Sequence, residues 1–150
     1  MRRFRFELET VLRHRRILES QHLQRLAAVQ SELRACDARI ARLRADAERA
    51  LREWPGVVDL LDFAMRELYL EAVGARIEQE ERVREGIAAR MEEARLALVR
   101  ARQDRETIER VREGAYREYL HEAERANQQA LDEIATVRHA HAVAGGGITP

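Results

Sequence analysis

The sequence predicts an all-α protein, a long antiparallel coiled-coil hairpin of two helices in which the second helix is longer than the first. Three observations indicate this fold. Charged residues make up 36% of the chain and aromatic residues only 5%, with 7 glycines and 2 prolines in 150 residues, which is typical of long helices. Apolar residues recur at alternating steps of three and four along two long stretches. The dipeptide Pro55-Gly56 separates these stretches.

The N-terminus combines arginine and phenylalanine, which alternate from Arg3 to Phe6 before the apolar spacing becomes helical. We expect this start to be part of helix one, at about residues 4–54. A secretory signal needs an uninterrupted apolar run, and Glu7 and Glu9 break it; a mitochondrial presequence is poor in acids and rich in serine. No apolar run approaches the length of a membrane span. We therefore expect a mature, cytoplasmic protein from its first residues.

Helix one carries a heptad seam. Its apolar positions are Leu26, Val29, Leu33, Cys36, Ile40, Leu43, Ala47, Ala50 and Trp54. This spacing predicts a left-handed supercoil with a partner helix. Upstream of Leu26, an extra step of four indicates a stutter, which locally unwinds the supercoil.

The chain is expected to turn at residues 55–58. Pro55 cannot continue a helix, and Gly56 tolerates the left-handed conformation of a turn. Asp59 fits the N-cap of helix two, which we place at about residues 59–139. Its seam consists of Leu70, Val73, Ile77, Glu80, Arg84, Ile87, Met91, Ala94, Leu98, Ala101, Arg105 and Ile108.

A short turn requires the two helices to run antiparallel. Counting outward from it places Leu26 opposite Ile87, and Leu8 near Arg105 or Ile108. The whole hairpin is one domain over residues 1–143, followed by a flexible tail at 144–150, which has the composition of a linker.

The second helix extends past the first. Helix one has about 50 residues, or ~75 Å, and helix two has nearly 80. Residues of about 109–139 are therefore without a partner in the chain, yet they carry an apolar stripe that includes Tyr119, Leu131 and Ile134. An amphipathic helix of this kind indicates that another protein binds it.

Charge and composition exclude several functional classes. The chain has 27 basic and 27 acidic residues, so its overall field does not favour nucleic acid. The absence of lysine excludes a phosphate-binding loop that ends in Gly-Lys and a Schiff-base mechanism. The single cysteine and the five histidines show no metal-binding spacing. We expect no enzymatic activity, and no metal, cofactor, nucleic acid or small-molecule substrate.

The charges are nevertheless unevenly placed along the chain. Residues 1–16 contain six arginines and two glutamates, whereas residues 104–139 contain nine acids and six arginines. We expect the two ends to attract each other and to help align the hairpin.

Three segments resemble the flagellar FliJ family. They are FRFELETVLRHRR, FAMRELYLEAVGARIE and YREYLHEAERANQQALDEIA. With the Pro-Gly turn they occur in the family's order and spacing, and the resemblance extends over nearly the whole chain. The exclusive use of arginine and the Gly-rich tail depart from the family. The resemblance implies a non-enzymatic, stalk- and chaperone-like component of the flagellar type III protein export apparatus, cytoplasmic and peripherally associated with the inner membrane.

The resemblance also implies partners and binding residues. The partners are the hexameric flagellar export ATPase, the membrane export gate and the export chaperones. In the family, the joined N- and C-terminal ends bind the central hole of the ATPase. The corresponding candidates here are Phe4, Phe6, Leu8, Leu12, Tyr119, Leu131 and Ile134.

Two alternatives of other kinds stay open. A homologous stalk protein of a virulence-type type III secretion injectisome would have the same shape. A generic coiled-coil scaffold or nucleic-acid adaptor would need no ATPase.

Overall fold

The computed structural model describes residues 3–54 and 59–145. Within these ranges the chain forms two helices, α1 (Glu9–Glu53) and α2 (Leu60–Gly145), and no strand. The all-α fold and the greater length of the second helix, 86 residues against 45, are therefore confirmed. The predicted turn at 55–58 and residues 146–150 of the predicted tail lie outside the described residues.

The helices contribute to two compact units. A terminal unit combines Met1–Arg15 with Asp104–Pro150, and a central unit comprises Arg16–Gln103. Both helices pass from one unit into the other without a break.

The central unit has a narrow apolar core between α1 and α2. Val29, Cys36, Ile40 and Ile87 are buried in one cluster, with Leu33, Ile77 and Met91 packed against it. These residues follow the heptad spacing of both seams, as expected for knobs that pack between two helices. Of the other seam residues in this unit, Val73 and Leu98 are buried, and Leu26, Leu43 and Leu70 are half-buried.

Ion pairs border this core and connect the helices. The nitrogen–oxygen distances are 3.1 Å for Arg102–Glu19, 2.7 Å for Arg90–Glu32, 2.6 Å for Arg84–Asp37, 3.0 Å for Arg39–Glu80 and 2.6 Å for Arg44–Glu81. The sequence separation falls steadily from Glu19 to Arg44, so α1 and α2 run antiparallel within this unit. The hydrogen bond that the Arg84 guanidinium donates to Asp37 raises the pKa of Arg84.

The predicted pairing between the helices is wrong by about two helical turns. Glu32, not a residue near Leu26, lies beside the Ile87 region, since it bonds Arg90. Counting from Pro55-Gly56 failed because the first turns of α2 lie beyond the residues that pair with α1. Trp54, which follows the last residue of α1, contacts Tyr69 with 5.8 Å between ring centroids.

Arg84 is a further correction, because the spacing placed it in the seam and the structure shows it exposed. A guanidinium in an apolar seam would lose its hydration without compensation. The Arg84 side chain instead reaches the Asp37 carboxylate at the edge of the interface.

The start of α2 is capped as the sequence predicts. The Asp59 carboxylate accepts hydrogen bonds from the backbone N–H groups of Leu61 and Asp62, both at 2.9 Å. These bonds satisfy donors that have no partner inside the helix. The N-cap prediction for Asp59 is confirmed.

The outer ends of both helices differ from the expected bounds. α1 begins at Glu9 and not near residue 4, and α2 continues to Gly145 and not to about 139. The alternation of Arg and Phe explains the first difference. A period of two puts both phenylalanines on one side of an extended backbone, whereas a helix would separate them.

Candidate functional site

Residues 3–8 form a non-helical N-terminal arm that packs on α2 within the terminal unit. Phe4 and Phe6 are half-buried, while Arg3 and Arg5, which alternate with them, are exposed. The Phe4 ring meets the edge of Tyr116 at a centroid distance of 5.1 Å and lies 5.5 Å from Tyr119. Aromatic pairs of this geometry contribute about 0.5–1.5 kcal/mol beyond the burial of their area. Phe4 is thus the aromatic anchor of the arm.

An open groove of about 830 Å³ lies between the arm and α2. Its apolar lining includes Phe4, Phe6, Val111, Ala115 and Tyr119. Its charged lining consists of exposed residues of both signs, which are Arg3, Arg5 and Glu7 from the arm and Glu118 and Glu122 from α2. The groove therefore joins an apolar floor to charged walls of both signs.

Cross-helix ion pairs hold the base of the arm. Arg15 bonds Asp104 at 2.8 Å, and Arg112 bonds Glu9 at 3.5 Å. The first pair has the expected polarity, with the arginine at the N-terminal end of the chain. In the second pair the arginine lies on α2 and the glutamate near the N-terminus. The two ends of the chain therefore each contribute both basic and acidic residues to the ion pairs.

The structure brings only part of the predicted docking set together. Phe4, Phe6, Leu8 and Tyr119 all line the groove, and Leu8 is 38% exposed. Leu12 is a correction, because it is 0% exposed and offers no surface to a partner. Its apolar side chain belongs to the core of the terminal unit.

The last part of α2 is exposed on all sides. Every residue from 124 to 142 is exposed, whereas Ala123 is half-buried. We call residues 124–142 the distal segment. Its large apolar side chains are Leu131, Ile134 and Val137, with 61%, 52% and 55% of their surface exposed. Leu131 and Ile134 are three residues apart and therefore share one face, which is open to a partner.

A second apolar surface, which the sequence reading missed, lies at the start of α2. We call it the apical patch, and it consists of Leu60, Leu61, Phe63, Met65 and Leu68, which are 88%, 67%, 47%, 55% and 67% exposed. Monomers rarely expose so many large apolar side chains together. A signal was available, since LLDFAMREL has more apolar residues than one helix face can bury.

Residues 3–54 and 59–145 contain neither a metal site nor a membrane span. In these ranges no group of His, Cys, Asp and Glu side chains has the arrangement of a metal site. Neither α1 nor α2 contains, in its described part, an apolar stretch that could cross a membrane.

Comparison with known protein families gives a match. The family model described as Flagellar FliJ protein matches residues 4–144. Neither the curated proteins nor the solved structures gave a match. The matched range includes the arm from Phe4 onward, both helices and the whole distal segment.

Proposed function

The chain belongs to the flagellar FliJ family, and we propose that it is the stalk of a flagellar type III export apparatus, docking its terminal unit into the ring of the hexameric export ATPase. The family is a coiled-coil component of flagellar protein export, without catalytic activity of its own. The membrane export gate and the export chaperones are the further proposed partners. The protein would act at the cytoplasmic side of the flagellar base.

The exposed distal segment is the observation that carries this proposal. An amphipathic helix without a partner in its own chain is a common ligand for a groove or a ring of another protein. Leu131 and Ile134 are apolar, share a face and remain more than half exposed. The groove beside the arm adds aromatic side chains, which are frequent hot spots of protein interfaces.

The flagellar assignment is favoured over the two alternatives by the family match, which covers almost the whole chain. An injectisome stalk would share the hairpin but belong to another family. A generic scaffold would not require the distal segment to be both apolar and unpaired.

A double substitution in the distal segment tests the docking. Leu131→Ser/Ile134→Ser should weaken binding to the cognate export ATPase roughly thirtyfold or more, since the loss of one hot-spot side chain costs about 2 kcal/mol or more and about 2 kcal/mol corresponds to that factor. The thermal midpoint should stay unchanged, because both side chains lie outside the core. Titration calorimetry would measure the binding, and circular dichroism the midpoint.

The matched control is Leu96→Ser/Val99→Ser. These residues have the same spacing on α2 and are 44% and 38% exposed, but they belong to the central unit. The control should bind the ATPase normally. Equal binding by both double variants would overturn the docking proposal.

The apical patch is the proposed contact for the membrane export gate. It exposes five large apolar side chains of the central unit, and the charged residues Asp59, Asp62, Arg66 and Glu67 lie beside or among them in the sequence. Phe63→Ser/Leu68→Ser should abolish binding to the purified cytoplasmic domain of the gate and leave ATPase binding intact. If gate binding persists in this variant, the patch has another role.

A further inference from the structure

The N-terminal arm covers a part of α2 that directly precedes the distal segment. Within the terminal unit the arm lies on Tyr116 and Tyr119, directly before the distal segment in α2. We infer that the arm is a displaceable cover, which occupies this part of α2 in the free protein and leaves it when the export ATPase binds. The inference rests on the proposed function.

Aromatic side chains pack the arm on α2, and among the described residues no backbone–backbone hydrogen bond joins the two. The backbone hydrogen bonds outside the helices, within the described ranges, include one from the Glu9 N–H to the Phe6 carbonyl, at 3.3 Å. That bond lies within the chain segment that leads into α1, and none of those bonds joins the arm to α2. Removing the arm therefore separates an aromatic contact but breaks no sheet or helix.

The surface beneath the arm is only partly covered. Tyr116 remains 46% exposed and Val111 49% exposed, although both lie beside the arm. The groove of about 830 Å³ shows that the arm does not fill the space next to α2. A partner that packs more closely on these residues would replace the arm with a net gain of buried apolar surface.

Release would expose two apolar surfaces together. It would uncover Tyr116 and Tyr119 on α2, and it would free Phe4 and Phe6, which are half-buried in the present arrangement. The sequence offers the freed arm a second conformation, because Phe4, Leu8 and Val11 continue the helical steps of α1. Only molecules with a released arm bind the ATPase in this scheme. The apparent affinity therefore equals the intrinsic affinity multiplied by the fraction of molecules in which the arm is released.

Cross-linking the arm to α2 tests this inference. Arg3 and Glu122 are exposed and line the same groove, so Arg3→Cys/Glu122→Cys in a Cys36→Ala background can be joined by a flexible bismaleimide. The control is the same variant treated with N-ethylmaleimide, which modifies both thiols but leaves the arm free. The cross-linked protein should bind the ATPase at least about tenfold more weakly than the control.

The outcomes separate the two proposals. Equal affinity of the cross-linked and control proteins would show that docking does not require release, and would overturn this inference alone. Failure of the wild-type protein to bind would overturn the proposed docking, and with it the inference. As an independent measurement, spin labels on the same two cysteines should move apart when the ATPase is added; an unchanged distance would contradict release.

Discussion

Ile40 illustrates what the heptad spacing determines at the scale of one residue. It is 5% exposed and belongs to the cluster around Cys36. Ile40→Ala should lower the free energy of unfolding by about 2–4 kcal/mol, because it removes methyl groups and leaves a cavity. Chemical denaturation would measure the loss.

Glu48→Ala is the control for Ile40. Glu48 pairs with Arg52 at 3.2 Å, with both side chains about two-thirds exposed or more, so its loss should cost less than about 0.5 kcal/mol. Equal losses for the two variants would contradict the assignment of the core.

The helical glycines offer a gain in stability. A Cβ atom added at Gly74, Gly86 or Gly114 would meet no atom within 4 Å. Each Gly→Ala substitution should therefore stabilise the protein by about 0.5–1 kcal/mol, because alanine favours the helix and restricts the unfolded chain. The melting temperature of the triple variant would show the sum, and a decrease would indicate that one of these positions needs its glycine.

The heptad spacing predicted the burial of apolar residues between the helices better than the burial of polar residues. Cys36, Ile40 and Ile87 are buried as their steps of three and four require. Arg84 occupied the same pattern but is exposed. Periodicity gives the direction of a side chain from the helix axis, whereas a long charged side chain can leave that direction to reach a carboxylate.

At the scale of the two helices, ion pairs between α1 and α2 contribute to the alignment of the helices. Exchanging the charges of one pair, as in Asp37→Arg/Arg84→Asp, should retain more of the thermal stability than either single substitution, which puts like charges opposite each other. Thermal melting of the three variants at low and high salt would measure this, and the differences should shrink at high salt because the pairs are exposed. Additive effects of the two substitutions would contradict a direct pairing.

The elements themselves were largely readable from the sequence. Two helices and the Asp59 cap follow from periodicity and local chemistry. The pairing of α1 with α2 could not be predicted in this way. It depends on how many turns of α2 lie beyond the end of α1, and no local sequence pattern gives that number. The arm was missed because its period of two was read as the start of a helix.

At the scale of the whole molecule, the distal segment should be separable from the fold. A chain that ends at residue 126 should keep the melting midpoint of the full chain, because residues 124–142 are all exposed, and it should lose ATPase binding. Circular dichroism and calorimetry would measure the two properties. A chain that ends at residue 110 is the contrasting variant, since it also removes Arg112, Tyr116 and Tyr119, and its midpoint should fall.

The docking site could be predicted only in part from the sequence. The unpaired, apolar end of α2 follows from the different lengths of the helices, and Leu131 and Ile134 are exposed. The burial of Leu12 and the contact of Phe4 with Tyr116 depend on tertiary packing across more than a hundred residues of sequence. The proposed partners come from the family resemblance, because no pattern of apolar residues identifies a partner.

The exposure of the distal segment has a thermodynamic consequence. A helix of about twenty residues without tertiary packing is marginal in water, so it exchanges with coil and loses helicity on warming. Its association with a partner would then include helix formation as part of the same equilibrium. The binding enthalpy should become more negative as temperature rises, with a heat-capacity change larger than the contact area alone explains.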